Sequence, residues 1–167
     1  MSSQVESPPN HEFWMQRALG LARQGAAEGE VPVGALILQE SPDGTLKLVA
    51  EAYNQKEGDN SALHHAELLA IQRASEKLGR WRLSDCWLYV SLEPCVMCAG
   101  AIVAARLKQV IYSTPDPKAG AVESLYQVLS DPRLNHRPQV LSGVLQSESS
   151  QLLKDFFKAR RSGHPFP

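Results

Sequence analysis

Two short segments of the sequence contain side chains that could perform chemistry together. Residues 65–67 (HAE) offer an imidazole and a carboxylate, and residues 94–98 (PCVMC) offer two thiols. Cys95 and Cys98 are three residues apart at the predicted start of a helix, so both sulfurs lie on one face. The positive end of the helix favours the thiolate form. Because Zn²⁺ binds thiolate and imidazole well, this spacing predicts a metal site.

The number of ligands indicates a catalytic metal. His65, Cys95 and Cys98 make three, which leaves the fourth position of a tetrahedral zinc ion for water. Zinc lowers the pKa of such a water and supplies hydroxide near neutral pH. The Glu67 carboxylate, two residues from His65, could take the proton and return it to a leaving amine. The pattern therefore predicts a hydrolytic zinc enzyme.

The same residues admit other interpretations. A Cys-x-x-Cys pair is also typical of redox sites and of four-ligand structural sites, although no second pair is present to complete a structural site. The third cysteine, Cys86, lies within a predicted strand, where it would act as a small buried hydrophobic residue. His64 competes with His65 as a ligand. Neighbours on a helix point about 100° apart, and Glu67 is correctly spaced from His65, so we expect His65 to be the ligand.

The elements that would position these residues alternate along the chain. Helices are predicted at 10–25, 65–78, 95–105, 121–129 and 147–160, and strands at 33–38, 46–52, 86–90, 109–112 and 139–145. A hairpin comes first, and helices separate the later strands, which favours parallel pairing with right-handed crossovers. The expected fold class is α/β, a three-layer α/β/α arrangement around a mixed five-stranded sheet. In the first helix we expect Asn10 to be the N-cap and Phe13, Ala18, Leu19 and Ala22 to be buried.

Length and composition predict a single domain. The 167 residues are 43% hydrophobic and 21% charged, which is ordinary for a globular protein. We expect a loose N-terminal tail at 1–9, one domain at 10–162 and a short C-terminal tail at 163–167. The N-terminus has no basic start and no apolar run, so we expect no signal peptide. No apolar run approaches the ~20 residues of a membrane span.

Charge and cysteine content suggest a compartment and a kind of partner. The formal net charge is −1, which argues against a uniformly basic nucleic-acid-binding surface. Residues 1–80 carry 7 basic and 11 acidic residues, whereas residues 81–167 carry 10 basic and 7 acidic ones. An anionic partner is therefore expected on the second half. Three cysteines without a disulfide pattern favour a reducing compartment, and we expect a cytoplasmic protein.

The two chemical segments together form the His-x-Glu…Pro-Cys-x-x-Cys pattern of the zinc-dependent cytidine and nucleoside deaminases. Within that superfamily the sequence resembles the bacterial tRNA-specific adenosine deaminases over about residues 11–161. The resemblance is carried by residues 30–35 (EVPVGA), 88–101 (LYVSLEPCVMCAGA), 134–137 (LNHR) and 155–161 (DFFKARR). It implies a cytidine deaminase-like fold and a homodimer with one Zn²⁺ per subunit. It also implies hydrolysis of the wobble adenosine (position 34) of a tRNA anticodon loop, from an arginine isoacceptor, to inosine and ammonia.

The resemblance also implies residue roles. Zinc-bound hydroxide would attack C6 of the flipped-out adenine while Glu67 shuttles protons. Val31 and Asn54 would line the base pocket, and the backbone at Ala66 would help to hold the base. The contacts implied with the anticodon loop come from Asp116, Lys118, Phe156, Arg160 and Arg161.

Several of these residues have plainer explanations. Asn54 follows a predicted strand and could simply be a turn residue. Lys118 lies in a polar loop, where a solvated side chain is ordinary. The basic residues of the last helix are typical of a solvated face and of pairing with the helix dipole. Phe156 and Phe157 are adjacent, so one could lie in the core while the other forms a stacking surface.

The sequence departs from the family pattern at His64, where a small residue is usual, and at Glu123, which replaces a glycine. Pro115 and Pro117 flank Asp116. These differences affect the expected RNA contacts and loop stiffness, not the zinc chemistry.

Two other functions fit the same motifs. One is a deaminase of free guanine or cytosine, as base or nucleoside, on the same fold; the Asn-His-Arg segment and the basic end of the chain disfavour it. The other is a zinc-stabilised RNA-binding module without catalysis. Glu67 and the three-ligand count disfavour this module, because a structural site would usually supply a fourth ligand.

Overall fold

A computed structural model describes residues 9–167, so the predicted tail at 1–9 lies, apart from Pro9, outside the described residues. The helices in this range are α1 (His11–Ala27), α2 (Ala66–Leu78), α3 (Val96–Ala105) and α4 (Gln146–Arg161). The strands are β1 (Gly34–Glu40), β2 (Leu46–Tyr53), β3 (Cys86–Leu92), β4 (Gln109–Thr114) and β5 (Gln139–Ser142). A short 3-10 helix covers Val128–Ser130. No helix among these residues is both long and apolar enough to cross a membrane.

The five strands form one sheet in the order β2-β1-β3-β4-β5. β1 pairs antiparallel with both β2 and β3, whereas β3, β4 and β5 run parallel to one another. The strand β1 is apolar along most of its length because helices cover both of its faces. Ala35 and Ile37 pack into the core on one side of the sheet, and Leu36 and Leu38 into the core on the other. The predicted mixed five-stranded sheet is confirmed.

The helices form a layer on each face of the sheet. α2 and α3 contact each other and cover one face, and α1 and α4 cover the other. The expected three-layer α/β/α class is therefore confirmed. α1 lies so close to β1 that a Cβ atom at Gly34 would overlap the carbonyl oxygen of Ala18. This position thus requires glycine for a close approach of backbone to backbone.

The predictions for α1 are right in part. Asn10 is the N-cap, since its Oδ1 accepts a hydrogen bond from the Phe13 N–H at 3.0 Å. The inner face, however, consists of Met15 with Ala18, Leu19 and Ala22, while the Phe13 side chain is 56% exposed. Met15 is three and four residues before Ala18 and Leu19, which places it in line with the buried stripe. Phe13 is two residues away from Met15 and points outward.

The predicted helix over residues 121–129 is wrong. Turns occupy this segment, followed by the 3-10 helix Val128–Ser130. The Ala121 carbonyl accepts the N–H of Val128, seven residues on, whereas an α-helix would pair it with residue 125. The preceding N–H groups donate to a carboxylate outside the segment. The last predicted strand, 139–145, is also shorter than expected and ends at Ser142.

Candidate metal centre and active site

The starts of two helices bring the candidate ligands together. His65 and Cys95 each have an extended backbone and are the residues immediately before α2 and α3. The predicted helix starts at 65 and 95 are thus one residue early. Cys98 lies in the first turn of α3, and α2 and α3 contact each other. The positive ends of both helices therefore lie next to the two thiols.

The donor atoms have the spacing of a zinc site. Nδ1 of His65 lies 3.6 Å from Sγ of Cys95 and 3.6 Å from Sγ of Cys98. All three donor atoms lie within 4.8 Å of one another. Bonds of about 2.3 Å to sulfur and about 2.0–2.1 Å to nitrogen in a tetrahedron would separate N and S by about 3.6 Å. The residues present therefore fit a three-coordinated Zn²⁺ with a fourth position available.

The electrostatics of the cluster favour thiolate at Cys95 and the protonated thiol at Cys98. Hydrogen bonding from Cys98 lowers the pKa of the Cys95 thiol to about 3, and His65 adds to this effect. The hydrogen bond to Cys95 and burial instead raise the pKa of Cys98. The hydrogen bond to Cys95 raises the pKa of His65. A divalent cation would complete this arrangement, because it binds the deprotonated forms of both ligand types.

Glu67 provides a buried carboxyl group at the same place. It lies in the first turn of α2, and its side chain belongs to a residue that is only 4% exposed. Burial raises its pKa to about 7, against the opposing effect of His65. A group with such a pKa can accept and donate a proton near neutrality, which suits general acid–base catalysis.

His64 lies outside the cluster of donor atoms. Its Nδ1 is 2.7 Å from Oδ2 of Asp59, and the side chain is partly exposed. The cluster consists of His65, Cys95 and Cys98, which are the three ligands predicted from the sequence. Their role as metal ligands stays a prediction.

Asn54 and Ala66, two of the predicted base-pocket residues, are hydrogen-bonded to each other at the start of α2. Oδ1 of Asn54 accepts the N–H of Ala66 at 2.9 Å, and the Asn54 N–H donates to the Val33 carbonyl. Val31 is partly buried against the core on the same side of the sheet. Asn54 therefore joins the end of β2 to the start of α2, and its predicted contact with the base stays a prediction. The Ala66 N–H is already bonded to Asn54.

Asp116 and Lys118 belong to a loop joined to the cysteine segment. Gly120 forms an antiparallel bridge with Cys95, and the Ala121 N–H donates to the Pro94 carbonyl at 2.8 Å. Oδ1 of Asp116 accepts N–H groups of Lys118 and Ala119, which shapes the loop. Lys118 is exposed.

Sequence reasoning missed two buried carboxylates that hold loops around the cluster. Glu93 is 1% exposed and accepts hydrogen bonds from the loop that carries Asp116. Glu30 is 3% exposed and accepts the N–H groups of Glu57 and Gly58, between Asn54 and His65. Both belong to motifs that carried the resemblance. A charged residue inside an apolar stretch could have indicated each buried carboxylate. The N–H groups that hydrogen-bond these carboxylates, however, lie 23 to 31 residues away in the sequence.

The residues predicted on the last helix are divided between core and surface. Phe156 is 4% exposed, and its ring lies 5.8 Å from that of Phe166, so the predicted tail at 163–167 folds back onto α4. Phe157 is 39% exposed. Arg160 and Arg161 are exposed, and the Arg160 guanidinium lies 5.9 Å from the Phe156 ring. α4 packs against α1 and β4, on the opposite face of the sheet from α2 and α3.

The Asn-His-Arg segment contacts the backbone of the domain at two places. Nε2 of His136 lies 2.6 Å from the Leu107 carbonyl, just before β4. The Arg137 guanidinium donates to the Pro132 carbonyl at 3.2 Å. The departure at Glu123 also has a partner, since the Tyr112 hydroxyl donates to its Oε2 at 2.7 Å.

Comparison with known proteins places this fold and site among deaminases. The model of the MafB19-like deaminase family matches residues 9–161. A tRNA-specific adenosine deaminase of Streptococcus pyogenes serotype M1 is 41% identical over 149 residues, which cover 89% of this chain and 84% of the relative. A solved structure from a study of A-to-I editing by tRNA:A34 deaminases at the wobble position of transfer RNA has a TM-score of 0.78 at 41% identity. It covers 84% of this chain and 98% of its own.

A guanine deaminase from Nitrosomonas europaea is also similar in structure. Its TM-score is 0.69 at 26% identity, and the match covers 93% of this chain and 87% of that one. Fold and site together therefore define the chain as a deaminase. It belongs to the MafB19-like deaminase family, and the resemblance to tRNA-specific adenosine deaminases that the sequence indicated is confirmed.

Proposed function

We propose that this protein is a zinc-dependent hydrolase that converts the wobble adenosine, position 34, of a tRNA anticodon loop to inosine and releases ammonia. One observation carries the proposal. A three-donor cluster with a buried carboxyl beside it occurs in a chain that is 41% identical to a tRNA-specific adenosine deaminase. Three donors leave a position open, as catalytic zinc sites do.

His65, Cys95 and Cys98 would hold the metal, one ion in each subunit. When bound there, zinc lowers the pKa of water and so makes hydroxide available near neutral pH. The fold of the chain holds the three ligand residues in place. His65 and Cys95 are fixed by the starts of α2 and α3, and Cys98 is buried in the first turn of α3. These positions hold the three donor atoms within 4.8 Å of one another.

Glu67 moves the protons of the reaction. Its carboxylate accepts a proton from the attacking water and its carboxylic acid returns one to the amino group on C6, which then leaves as ammonia. Burial raises the pKa of Glu67 to about 7, so both protonation states are accessible near neutral pH. The low exposure of the group also keeps bulk water away from the proton.

The adenine pocket is built on the start of α2. Oδ1 of Asn54 accepts the Ala66 N–H at the start of α2, which leaves the amide NH₂ of Asn54 to hydrogen-bond the base. Val31 supplies an apolar wall, and the backbone at Ala66 lies at the floor of the pocket. A purine that has been flipped out of its loop is recognised by such edges and by stacking.

The surrounding loop nucleotides would contact the exposed basic residues. Lys118, Arg160 and Arg161 are exposed and can reach phosphates. Asp116 shapes the loop that carries Lys118. Phe156 supports Arg160 from inside the core, and the exposed Phe157 offers a ring for stacking.

The assembly and location follow from the same proposal. We expect a homodimer, a tRNA-Arg substrate and a cytoplasmic location. The three free cysteines support the last of these, because disulfides are rare in reducing compartments. Val96, next to Cys95, and Leu63, next to His64, are large apolar residues that are mostly exposed, as at an interface. Light scattering should give the mass of two chains, and a monomer at working concentration would contradict the dimer.

A competition assay tests the proposed substrate class. The zinc-loaded protein is incubated with an anticodon stem-loop that carries a wobble adenosine, in the presence of free guanine, cytosine and nucleosides. We expect ammonia to match the inosine formed in the RNA, with the free compounds unchanged. Deamination of a free base alone would favour the guanine or cytosine deaminase function. RNA binding without any ammonia would favour a non-catalytic module.

A further inference from the structure

A buried carboxylate, that of Glu93, lies just before the cysteine segment in the sequence. Glu93 is two residues before Cys95 and 1% exposed. Its Oε1 accepts the N–H groups of Val122, Glu123 and Ser124 at 3.2, 2.7 and 2.9 Å. Its Oε2 accepts the N–H of Asp116 at 2.8 Å and the hydroxyl of Ser124. All five donors belong to residues 116–124.

Hydrogen bonds from this loop take the place of an ion pair. Within residues 9–167, no lysine, arginine or histidine forms a salt bridge with Glu93. Burying a carboxylate is costly unless its oxygens are hydrogen-bonded, so the loop and the carboxylate are mutually required. The loop backbone approaches the Glu93 carboxylate most closely at Gly120, where an added Cβ atom would overlap the carboxylate.

The same loop is hydrogen-bonded to the segment that contains Cys95, and it lies at the edge of the sheet where we expect the substrate to bind. Gly120 pairs with Cys95, and the Ala121 N–H donates to the Pro94 carbonyl. β3 and β4 are parallel, so the segments that follow them emerge at the same edge of the sheet, which is where ligands bind in such sheets. The exposed Lys118 lies in this loop beside the candidate active site.

We propose that Glu93 is a positioning residue for RNA binding. It fixes residues 115–124 against the cysteine segment and so sets the place of Lys118 at the entrance to the site. The inference rests on the proposed function, because it takes RNA as the substrate that meets this loop. Glu93 touches neither the donor cluster nor the base, so it acts on substrate affinity and leaves the chemical step unchanged.

The change Glu93→Gln tests this role with almost no change in shape. An amide has one acceptor oxygen and one NH₂ donor, so it cannot accept the N–H groups on both sides. Either the Asp116 N–H or the three N–H groups of residues 122–124 lose their acceptor. The loop should then loosen while the fold persists.

Three measurements distinguish loop positioning from general damage. For the anticodon stem-loop we expect Glu93→Gln to raise KM about tenfold, with kcat nearly unchanged, as the loss of a buried hydrogen-bond partner implies. Zinc content should equal that of the unaltered protein. Trypsin should cleave faster after Lys118, with the other cleavage rates unchanged.

Glu30→Gln is the matched control, because Glu30 is a similarly buried carboxylate that holds a different loop. It should leave the cleavage rate after Lys118 unchanged. Ser124→Ala removes only the hydroxyl donor to Glu93 and should shift KM and cleavage in the same direction by less. If Glu93→Gln does not fold, Ser124→Ala carries the test alone.

Two results would overturn the inference. Loss of zinc together with kcat would show that Glu93 supports the metal ligands, and an unchanged KM with unchanged cleavage would show no positioning role. Failure of the proposed function is distinct, since the unaltered protein would then deaminate no RNA. The tryptic cleavage rates would still report whether Glu93 orders the loop.

Discussion

Cys95, Cys98 and His65, the proposed metal ligands, all lie at the starts of α2 and α3. His65 and Cys95 precede the first turns of two contacting helices, and Cys98 lies inside one of those turns. Cys86 provides the contrast. It is buried at the start of β3, where burial raises the pKa of its thiol to about 12. Hydrogen bonding thus lowers the pKa of the Cys95 thiol, whereas burial raises that of Cys86.

The cysteines therefore give a paired prediction. Cys95→Ser should weaken zinc binding by at least about 100-fold, more than is usual for loss of an outer partner, and should abolish deamination. Metal analysis after dialysis against a weak chelator measures the binding. Cys86→Ser is the control, with zinc retained. Full zinc occupancy in Cys95→Ser would contradict the ligand assignment.

The two neighbouring histidines give a second prediction. His64 pairs with Asp59 at the surface, whereas Nδ1 of His65 faces both sulfurs. His65→Ala should lose zinc and activity, and His64→Ala should keep the zinc. The same metal analysis measures both. Zinc loss in His64→Ala alone would show that the wrong histidine was assigned.

At the scale of the elements, the close approach of α1 to β1 is set by Gly34. Gly34→Ala should lower the free energy of unfolding by about 3 kcal/mol, because the methyl group would overlap the Ala18 carbonyl oxygen. Chemical denaturation measures this. Gly20→Ala, in α1 with open space around the added carbon, should instead raise it by about 0.5–1 kcal/mol. Equal effects of the two changes would contradict the packing described.

Elements that depend on local pattern were predictable, and those that depend on distant partners were not. The apolar run in β1 and the cap at Asn10 follow from residues close in sequence. The turns at 121–129 do not, because Glu93 and Pro94 accept their N–H groups from another part of the chain. The candidate ligands were found from spacing alone. The buried carboxylates were missed because nothing nearby in sequence shows what would satisfy them.

For the whole molecule, the charge distribution favours a local contact with RNA. The net charge is −1, yet basic residues outnumber acidic ones in residues 81–167, by 10 to 7, and these include Lys118 and three cations in the last turn of α4. A protein that binds one folded loop needs a basic rim around its site, not a basic surface. Such a protein should show a moderate salt dependence that a few residues control.

Salt titrations test this arrangement. Arg160→Gln with Arg161→Gln should weaken stem-loop binding and reduce the slope of log K against log salt by about 1.4, at about 0.7 for each single-strand phosphate contact. Fluorescence anisotropy at several salt concentrations gives the slope. Lys47→Gln with Arg82→Gln removes the same charge from other exposed positions and should leave the slope nearly unchanged. Equal slopes for the two pairs would indicate general attraction only.

The most direct test of the central claim is the nucleoside composition of an anticodon stem-loop after incubation with the zinc-loaded protein. Mass spectrometry of the digested RNA should show inosine in place of the wobble adenosine. With Glu67→Ala the rate should fall by at least about 100-fold while zinc remains bound, because the proton carrier is gone. Inosine formed at the same rate by Glu67→Ala, or no inosine from the unaltered protein while free guanine loses ammonia, would contradict the account.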